Sequence, residues 1–319
     1  MLTVALALGA SFALPVSAQS LLSTYDVIVR NNLSTSTDIR GLVVAKNYTG
    51  TAGGPFAQDL SSTTPGTDTT WIQSSIASSG SALTMQYGSL AFGGSSISGR
   101  TINFNQAGNT VHYNTSFNFN SVFNGISTES TANAALSANG SSVLSGNLLT
   151  FNVGATLPAS GGTAVFSIAA STLADSGIAQ YDLNLNGKSP TAIIINVTGS
   201  AGYSFTRPGG ANFVGNFTSQ SWYQKTLWNF NGAGTVNYGA GWKGSILAPD
   251  ATVTSTGDLD GSLAAFNASL TGEVHLPTWS GTGAVVPETS TWAAVGALTG
   301  VIGWSFVRRN RRTAPVQKA

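Results

Sequence analysis

The chain has 319 residues, of which 42% are hydrophobic and only 8% are charged. This composition supplies a core, excludes an intrinsically disordered chain, and leaves Ser, Thr, Asn and Gly to form most of the surface, as in many extracellular β-proteins. The absence of cysteine excludes disulfides and thiolate metal sites, and five of the 13 basic residues fall in the last 12 positions, so no basic stripe is left for nucleic acid.

The N-terminus has the pattern of a secretory signal peptide. Residues 2–14, LTVALALGASFAL, form an apolar run that PVSAQS follows, although no Lys or Arg precedes it. Val16 and Ala18 are the small residues that signal peptidase requires. We therefore predict a signal peptide over residues 1–18 with cleavage between Ala18 and Gln19; a buried N-terminal strand or helix is the alternative.

Residues 24–283 are predicted to form one all-β domain. Its strand signals are rich in β-branched or aromatic residues and are bounded by Gly, Asn, Ser or Pro. They are TYDVIVRNNL, LTMQYGSLAF, TINFN, TVHYNTSFNFNSVF, LLTFNVG, TAVFSI, TAIIINVTG and GTVNYG.

One segment predicts a short helix packed on these strands. Residues 128–137, TESTANAALS, follow a capping Ser127 or Thr128 and are rich in Ala. The helical period predicts that this helix buries Ala132, Ala135 and Leu136.

An aromatic cluster precedes the last strands. Aromatic faces on a polar β-surface suit stacking on sugars. The alternative is that these residues lie in the core or cap a coil, as most aromatic residues of this kind do. The candidates for glycan contact are Trp222, Tyr223, Trp228 and Trp242.

A short repeat indicates how the strands are arranged. GSILAPDATVT from Gly244, GSLAAFNASLT from Gly261 and GLVVAKNYTG from Gly41 share the pattern Gly-x-x-x-Ala-x-(Asp/Asn). Stacked coils of a β-solenoid would bury one set of alternating residues and expose the other. The predicted inward residues are Ile246, Val253, Leu263 and Leu270, and the outward ones are Thr252, Thr254, Ser269 and Thr271. A β-sandwich with antiparallel strands is the alternative fold.

Two acids sit inside this repeat. Asp258 and Asp260 are two residues apart and therefore on the same face of an extended chain. They could form a weak Ca²⁺ site or a glycosidase pair, whereas a turn that uses Asp for local hydrogen bonds is the simpler interpretation. No other motif indicates a catalytic residue, a cofactor or a metal.

The C-terminus predicts an anchor or a sorting signal. A linker over residues 284–291 contains Pro287 and Glu288, and residues 292–307 form an uncharged apolar run. We predict that this run is a transmembrane helix, short at about 24 Å. The basic tail over residues 308–319 would stop translocation and stay in the cytoplasm, through Arg308, Arg309, Arg311 and Arg312.

This tail resembles the PEP-CTERM sorting signal of Gram-negative bacteria, with Thr289 in place of the second Pro. That resemblance implies an exosortase-type processing enzyme as a partner. The segments YDVIVRNNLSTSTDIRGLVVAKNY and WKGSILAPDATVTSTGDLDGSLAAFNASLTGEVH resemble the choice-of-anchor A family, with Arg40 where that family usually has Glu. The resemblance to the choice-of-anchor A family implies a bacterial surface or matrix protein.

The sequence thus predicts an exported, non-enzymatic protein of the cell surface or extracellular matrix. It would be held in the membrane at least transiently through its C-terminal helix and would associate with exopolysaccharide or act in adhesion. The alternatives are a carbohydrate-active enzyme and an ice-binding-like surface protein, the latter because of the outward Thr pairs.

Overall fold

The computed structural model of the protein describes residues 20–52 and 54–281. Outside this range lie the signal peptide predicted over residues 1–18, with Ala18 and Gln19, the predicted linker 284–291, the predicted transmembrane helix 292–307 and the basic tail 308–319. The strands, in chain order, are β1 Val27–Thr35, β2 Val43–Tyr48, β3 Pro55–Phe56, β4 Asp68–Ile76, β5 Leu83–Met85, β6 Ser89–Phe92, β7 Ile102–Phe104, β8 Val111–Tyr113, β9 Ser141–Ser145, β10 Leu148–Asn152, β11 Thr163–Ala169, β12 Gln180–Asn184, β13 Ala192–Thr198, β14 Tyr203–Thr206, β15 Asn212–Phe213, β16 Thr226–Asn229, β17 Ala233–Gly239, β18 Trp242–Lys243, β19 Ser245–Ser255, β20 Leu259–Asp260, β21 Leu263–Leu270 and β22 Val274–His275.

Helices make up a small part of the described chain. They are α1 Phe119–Ala134, α2 Ala170–Leu173 and α3 Gln220–Tyr223, with 3-10 turns at Leu21–Ser23 and Gly215–Thr218. Among residues 20–52 and 54–281, no helix has the length and apolar character needed to cross a bilayer.

The strands wind into a β-solenoid whose coils have three sides. Long strands turn a corner midway: residues 27–29 of β1 lie in the first side and residues 33–35 in the second, with a register shift between them. The third side consists of short strands, in the sheets β18-β20-β22 and β3-β5-β7, which Ile39 links by bridging to Phe56 and Val274. The described strands pair in parallel except in the hairpin β9-β10, so the predicted all-β solenoid is confirmed and the antiparallel sandwich is not the fold.

The three copies of the repeat lie in one stack, as predicted. Strands β19 and β21 are neighbours, and a Cβ added to Gly261 would lie 2.8 Å from the carbonyl carbon of Gly244, which places the two glycines directly against each other. The copy at Gly41 forms β2, one strand further along, with β1 between β21 and β2. The predicted inward residues are all buried: Ile246, Val253, Leu263 and Leu270.

The coils do not follow the order of the chain. The largest sheet runs β11-β13-β16-β19-β21-β1-β2-β4-β6-β8, so the first and last long strands are neighbours in its middle. The chain winds outward from β1 to β8, returns along the outside of the first side as α1, and winds back from β11 to β21. This path places the start and the end of the domain side by side.

Helix α1 covers the first side, which makes that side buried on both faces. Asn118 caps the helix by accepting a hydrogen bond from the Ser121 N–H at 3.0 Å. Each large apolar side chain buried here contributes about 1.5–3 kcal/mol. The helix buries Phe119, Val122, Phe123 and Ile126 against Ile28, Val44, Leu247 and Ala264.

The predicted helix over residues 128–137 was wrong in its start and in its buried face. Ala132 and Leu136 are half-buried, and Ala135 is exposed and lies just beyond the helix. The predicted strand over residues 110–123 ends at Tyr113. The reason is that the FNFNSVF segment, residues 117–123, alternates like a strand. Its apolar positions 119, 122 and 123, continued by Ile126, also match a helical period, and packing on the first side selects the helix.

Candidate functional site

The second side of the solenoid carries two rows of outward polar side chains, and we call it the polar side. The residues between the rows, such as Val236, Val253 and Leu33, point inward and are buried. Neighbouring parallel strands are about 4.8 Å apart and alternate residues on a strand about 7 Å apart. The first row is Ser204, Thr235, Thr252, Asn267, Asn32, Asn47 and Ser75, and the second is Thr206, Asn237, Thr254, Ser269 and Ser34. Neither row contains a charged residue.

Hydrogen bonds join part of the first row into an amide ladder, defined by Ser75, Asn47, Asn32, Asn267 and Thr252. Ser75 Oγ donates to Asn47 Oδ1 at 2.8 Å, and Asn47 Nδ2 donates to Asn32 Oδ1 at 3.1 Å. The backbone N–H of Asn32 donates to Asn267 Oδ1 at 3.2 Å, and Asn267 Nδ2 donates to Thr252 Oγ1 at 3.1 Å. Such a chain fixes side-chain rotamers and polarises its members, so the polar side presents a rigid, regularly spaced array.

The third side carries a charged row of five side chains that crosses four neighbouring segments. Lys243 donates to Asp260, whose other oxygen lies 2.9 Å from His275 Nδ1. His275 Nε2 lies 2.8 Å from Glu273 Oε2, which also accepts from Arg40 Nη2 at 2.6 Å. Basic and acidic side chains therefore alternate along the row.

The row shifts the protonation of its members. The hydrogen bond from Arg40, with a second from His275, holds the pKa of Glu273 below its ordinary value. Desolvation opposes protonation of His275, but its hydrogen bonds to Asp260 and Glu273 outweigh it and raise the pKa. Protonated His275 thus completes the alternation of charge.

A protein-family model described as "Putative Ice-binding-like adhesive domain" matches residues 18–276, which includes every strand described above. The chain belongs to this family. The choice-of-anchor A and PEP-CTERM resemblances stay predictions beside it. No curated protein sequence matches the chain.

Two solved structures are similar to this member of the ice-binding-like adhesive family. One is the ice-binding protein from the Antarctic ascomycete Antarctomyces psychrotrophicus, with 14% identity, a TM-score of 0.33, and coverage of 81% of this chain and 96% of that one. The other is an ice-binding protein from an Antarctic biological consortium, with 16% identity, a TM-score of 0.33, and coverage of 81% and 87%.

In this family member, two of the four aromatic residues predicted to contact glycans lie in the core. Trp228 and Trp242 are fully buried, with ring centroids 4.9 Å apart, and Trp228 Nε1 donates to the Lys243 carbonyl at 2.9 Å. As fully buried rings they cannot stack on a sugar, so that prediction is corrected for these two. Trp222 and Tyr223 are half-buried in α3, beneath the ammonium groups of Lys225 and Lys243.

The two predicted acids point outward together, as expected, but have different partners. Asp258 is exposed and accepts the Glu273 backbone N–H at 2.9 Å, while Asp260 is paired with Lys243 and His275. Within the described residues, no group of three or more His, Asp or Glu side chains is placed to hold a metal. The contacts of Asp260 favour an ion-pair role for it over Ca²⁺ binding.

Sequence reasoning missed the amide ladder and the charged row. The ladder did have a signal, since Asn47 and Asn267 hold the same position in two copies of the repeat. The charged row had none, because Arg40 and His275 are distant in sequence and become neighbours only when β1 inserts beside β21.

Proposed function

We propose that this protein is an exported, non-enzymatic adhesin of the cell surface or extracellular matrix, and that the polar side is its contact surface. The observation that carries the proposal is the pair of uncharged polar rows on adjacent parallel strands, the first of which is joined in part by the amide ladder. Membership of the ice-binding-like adhesive family supports an adhesive role. Because the ladder side chains are already held in place, a partner that binds them loses little conformational entropy.

Exopolysaccharide is the partner that we propose for this surface. Hydroxyl and amide groups on a regular lattice match the neutral, repeating hydroxyls of a polysaccharide, and each contact is weak while many act together. The side chains of the charged row are engaged with one another in ion pairs. This supports a structural rather than a catalytic role for Asp260.

A binding assay with matched variants tests the proposal. The purified protein is coated on beads, and retention on immobilised exopolysaccharide of the producing cells is measured. Thr235→Arg and Ser269→Arg place charge and bulk on the polar side, and Asn103→Arg makes the same change at an exposed position of β7 on the third side. We expect the first two to reduce retention at least about tenfold and the third to leave it unchanged; equal retention by all three would refute the assignment.

Measuring polysaccharide turnover beside retention separates adhesion from carbohydrate hydrolysis. In the double variant Asp258→Asn with Asp260→Asn, an adhesin keeps its retention on polysaccharide. Loss of polysaccharide turnover in that variant, with turnover present in the wild type, would instead indicate an enzyme.

Ice binding is the second candidate, and one observation favours it. Thr206, Thr235, Thr252 and Thr254 point outward on three adjacent parallel strands, among the Ser and Asn residues of the rows. Inhibition of ice recrystallisation by the wild type, lost in Thr235→Arg and retained in Asn103→Arg, would support it. No inhibition by the wild type would eliminate it.

We further propose that the tail is a sorting signal processed at Pro287-Glu288 by an exosortase-type enzyme, after the signal peptide is removed before Gln19. The described domain begins at Ser20, whose hydroxyl donates to the buried Glu129 at 2.6 Å, so a mature chain from Gln19 keeps the whole domain. Mass spectrometry of the surface protein gives the test. A C-terminus near Glu288 supports sorting, and a membrane-bound chain that ends at Ala319 indicates a plain anchor.

A further inference from the structure

Helix α1 contacts the first side in two chemically different ways. Its first half buries apolar side chains. Its last turns are held by amides: Ser130 Oγ donates to Asn229 Oδ1 at 2.7 Å, Asn229 Nδ2 donates to Asn196 Oδ1 at 2.8 Å, and Asn196 Nδ2 donates to the Asn133 carbonyl at 2.7 Å. Asn196 and Asn229 lie on neighbouring strands β13 and β16, and the next residue in that rung is Ser167 on β11.

The helix ends at Ala134, before it covers this rung completely, and a cleft of about 180 Å³ opens there to the solvent. The cleft combines amide, hydroxyl and aliphatic surfaces. The groups that define it are Leu136, Ser167, Asn196, Thr198, Asn229 and Asn231. It lies on the first side, away from the rows of the polar side.

The polar groups of the cleft are fixed and uncharged. Asn196 and Asn229 are 4% and 0% exposed and are oriented by the hydrogen bonds above. Asn231 Nδ2 donates to Ser130 Oγ at 3.1 Å, which leaves its carbonyl oxygen without a partner in the described residues. Ser167 is exposed at the mouth of the cleft, and its hydroxyl likewise has no hydrogen-bond partner among the described residues.

We propose that this cleft binds one neutral sugar ring, either a hexose or an N-acetylhexosamine. Fixed amides beside an aliphatic surface match a pyranose, which carries hydroxyls at its edge and C–H groups on its faces. No charged side chain lines the cleft, so nothing there would compensate a carboxylate or a phosphate for leaving water.

The size of the cleft also selects a single ring. The volume of about 180 Å³ lies below the roughly 300–1,000 Å³ of pockets for drug-sized ligands. The open side lets the rest of a glycan extend into solvent. For so few contacts we expect a dissociation constant on the order of 1 mM.

Ligand-observed NMR on the purified protein tests the proposal with glucose, galactose, mannose and N-acetylglucosamine as probes, and with glucuronate and glucose 6-phosphate as charged counterparts. Ser167→Trp fills the mouth of the cleft. Ser171→Trp makes the same change at an exposed position of α2 outside it. Asn231→Ala removes the unpaired acceptor without adding bulk, so the test does not depend on one bulky variant.

We expect at least one neutral sugar to bind the wild type and Ser171→Trp, and Ser167→Trp and Asn231→Ala to weaken that binding by at least about tenfold and threefold, respectively. Absence of binding by every neutral sugar overturns the proposal. Equal binding to all variants, or tighter binding of the charged sugars, overturns it as well. Thr235→Arg separates the two sites: it should reduce retention through the polar side at least about tenfold and leave sugar binding in the cleft intact.

Discussion

Asp26 makes the stability of this domain depend on pH in a way that one substitution can test. The carboxyl is fully buried at the start of β1, where Oδ2 accepts the Gly41 N–H at 3.0 Å and Oδ1 has no partner within the described residues. Desolvation by burial is the main cause that raises its pKa from 3.8 to about 8, against the opposing hydrogen bond from Gly41 and with a smaller contribution from Asp59.

Proton linkage determines the direction in which Asp26 makes the stability change with pH. A raised pKa in the folded state means that the unfolded chain releases the proton first, so the contribution of Asp26 to stability is greatest below about pH 4 and falls as pH rises towards 8. Each pH unit in that window lowers the free energy of unfolding by about 1.4 kcal/mol. The penalty from Asp26 at neutral pH is then about 4 kcal/mol, a large share of a typical 5–15 kcal/mol.

Asp26→Asn removes the ionisation and keeps the shape. The amide oxygen can still accept the Gly41 N–H, and the amide nitrogen replaces the protonated oxygen, so the two proteins should differ by less than about 1 kcal/mol near pH 4. Near pH 8 the variant should be more stable by several kcal/mol. Urea denaturation across this range measures the difference, with Asp175→Asn, at an exposed turn, as the control for the loss of one carboxylate. Parallel stability curves for wild type and Asp26→Asn would refute this account.

Three further substitutions test the core, the amide ladder and the charged row. Trp228→Ala should cost about 3–5 kcal/mol in chemical denaturation because it empties a fully buried site; a loss below about 1 kcal/mol would contradict that packing. Asn267→Ala should cost about 1–3 kcal/mol, because the donors of Asn31 and Asn32 lose their acceptor, and an unchanged midpoint would show that water replaces the ladder. His275→Gln should remove a stabilisation that is present below about pH 6.5 and is lost as pH rises through the raised pKa of His275. Because the group is partly exposed, we expect less than about 1 kcal/mol from it, and a difference from wild type that grows above neutral pH would reverse the assigned sign.

The sequence alone determined the strand content and the stacking of the repeat. Alternation of apolar and polar residues is a local property of a strand, and Gly244 and Gly261 mark corresponding positions of successive coils. These signals sufficed to place Ile246 and Leu263 inside and Thr254 and Ser269 outside. They also sufficed to assign the three repeat copies to one stack.

Only the tertiary structure decided which coils are neighbours and which face α1 covers. Insertion of β1 beside β21 depends on pairing between residues more than two hundred positions apart, and no local pattern encodes that choice. The segment from Phe119 to Phe123 fits both a strand and a helix by its spacing, and the apolar first side selects the helix. Burial likewise placed Trp228 and Trp242 in the core, because an aromatic residue has the same identity in a core and on a binding surface, and only its neighbours distinguish the two.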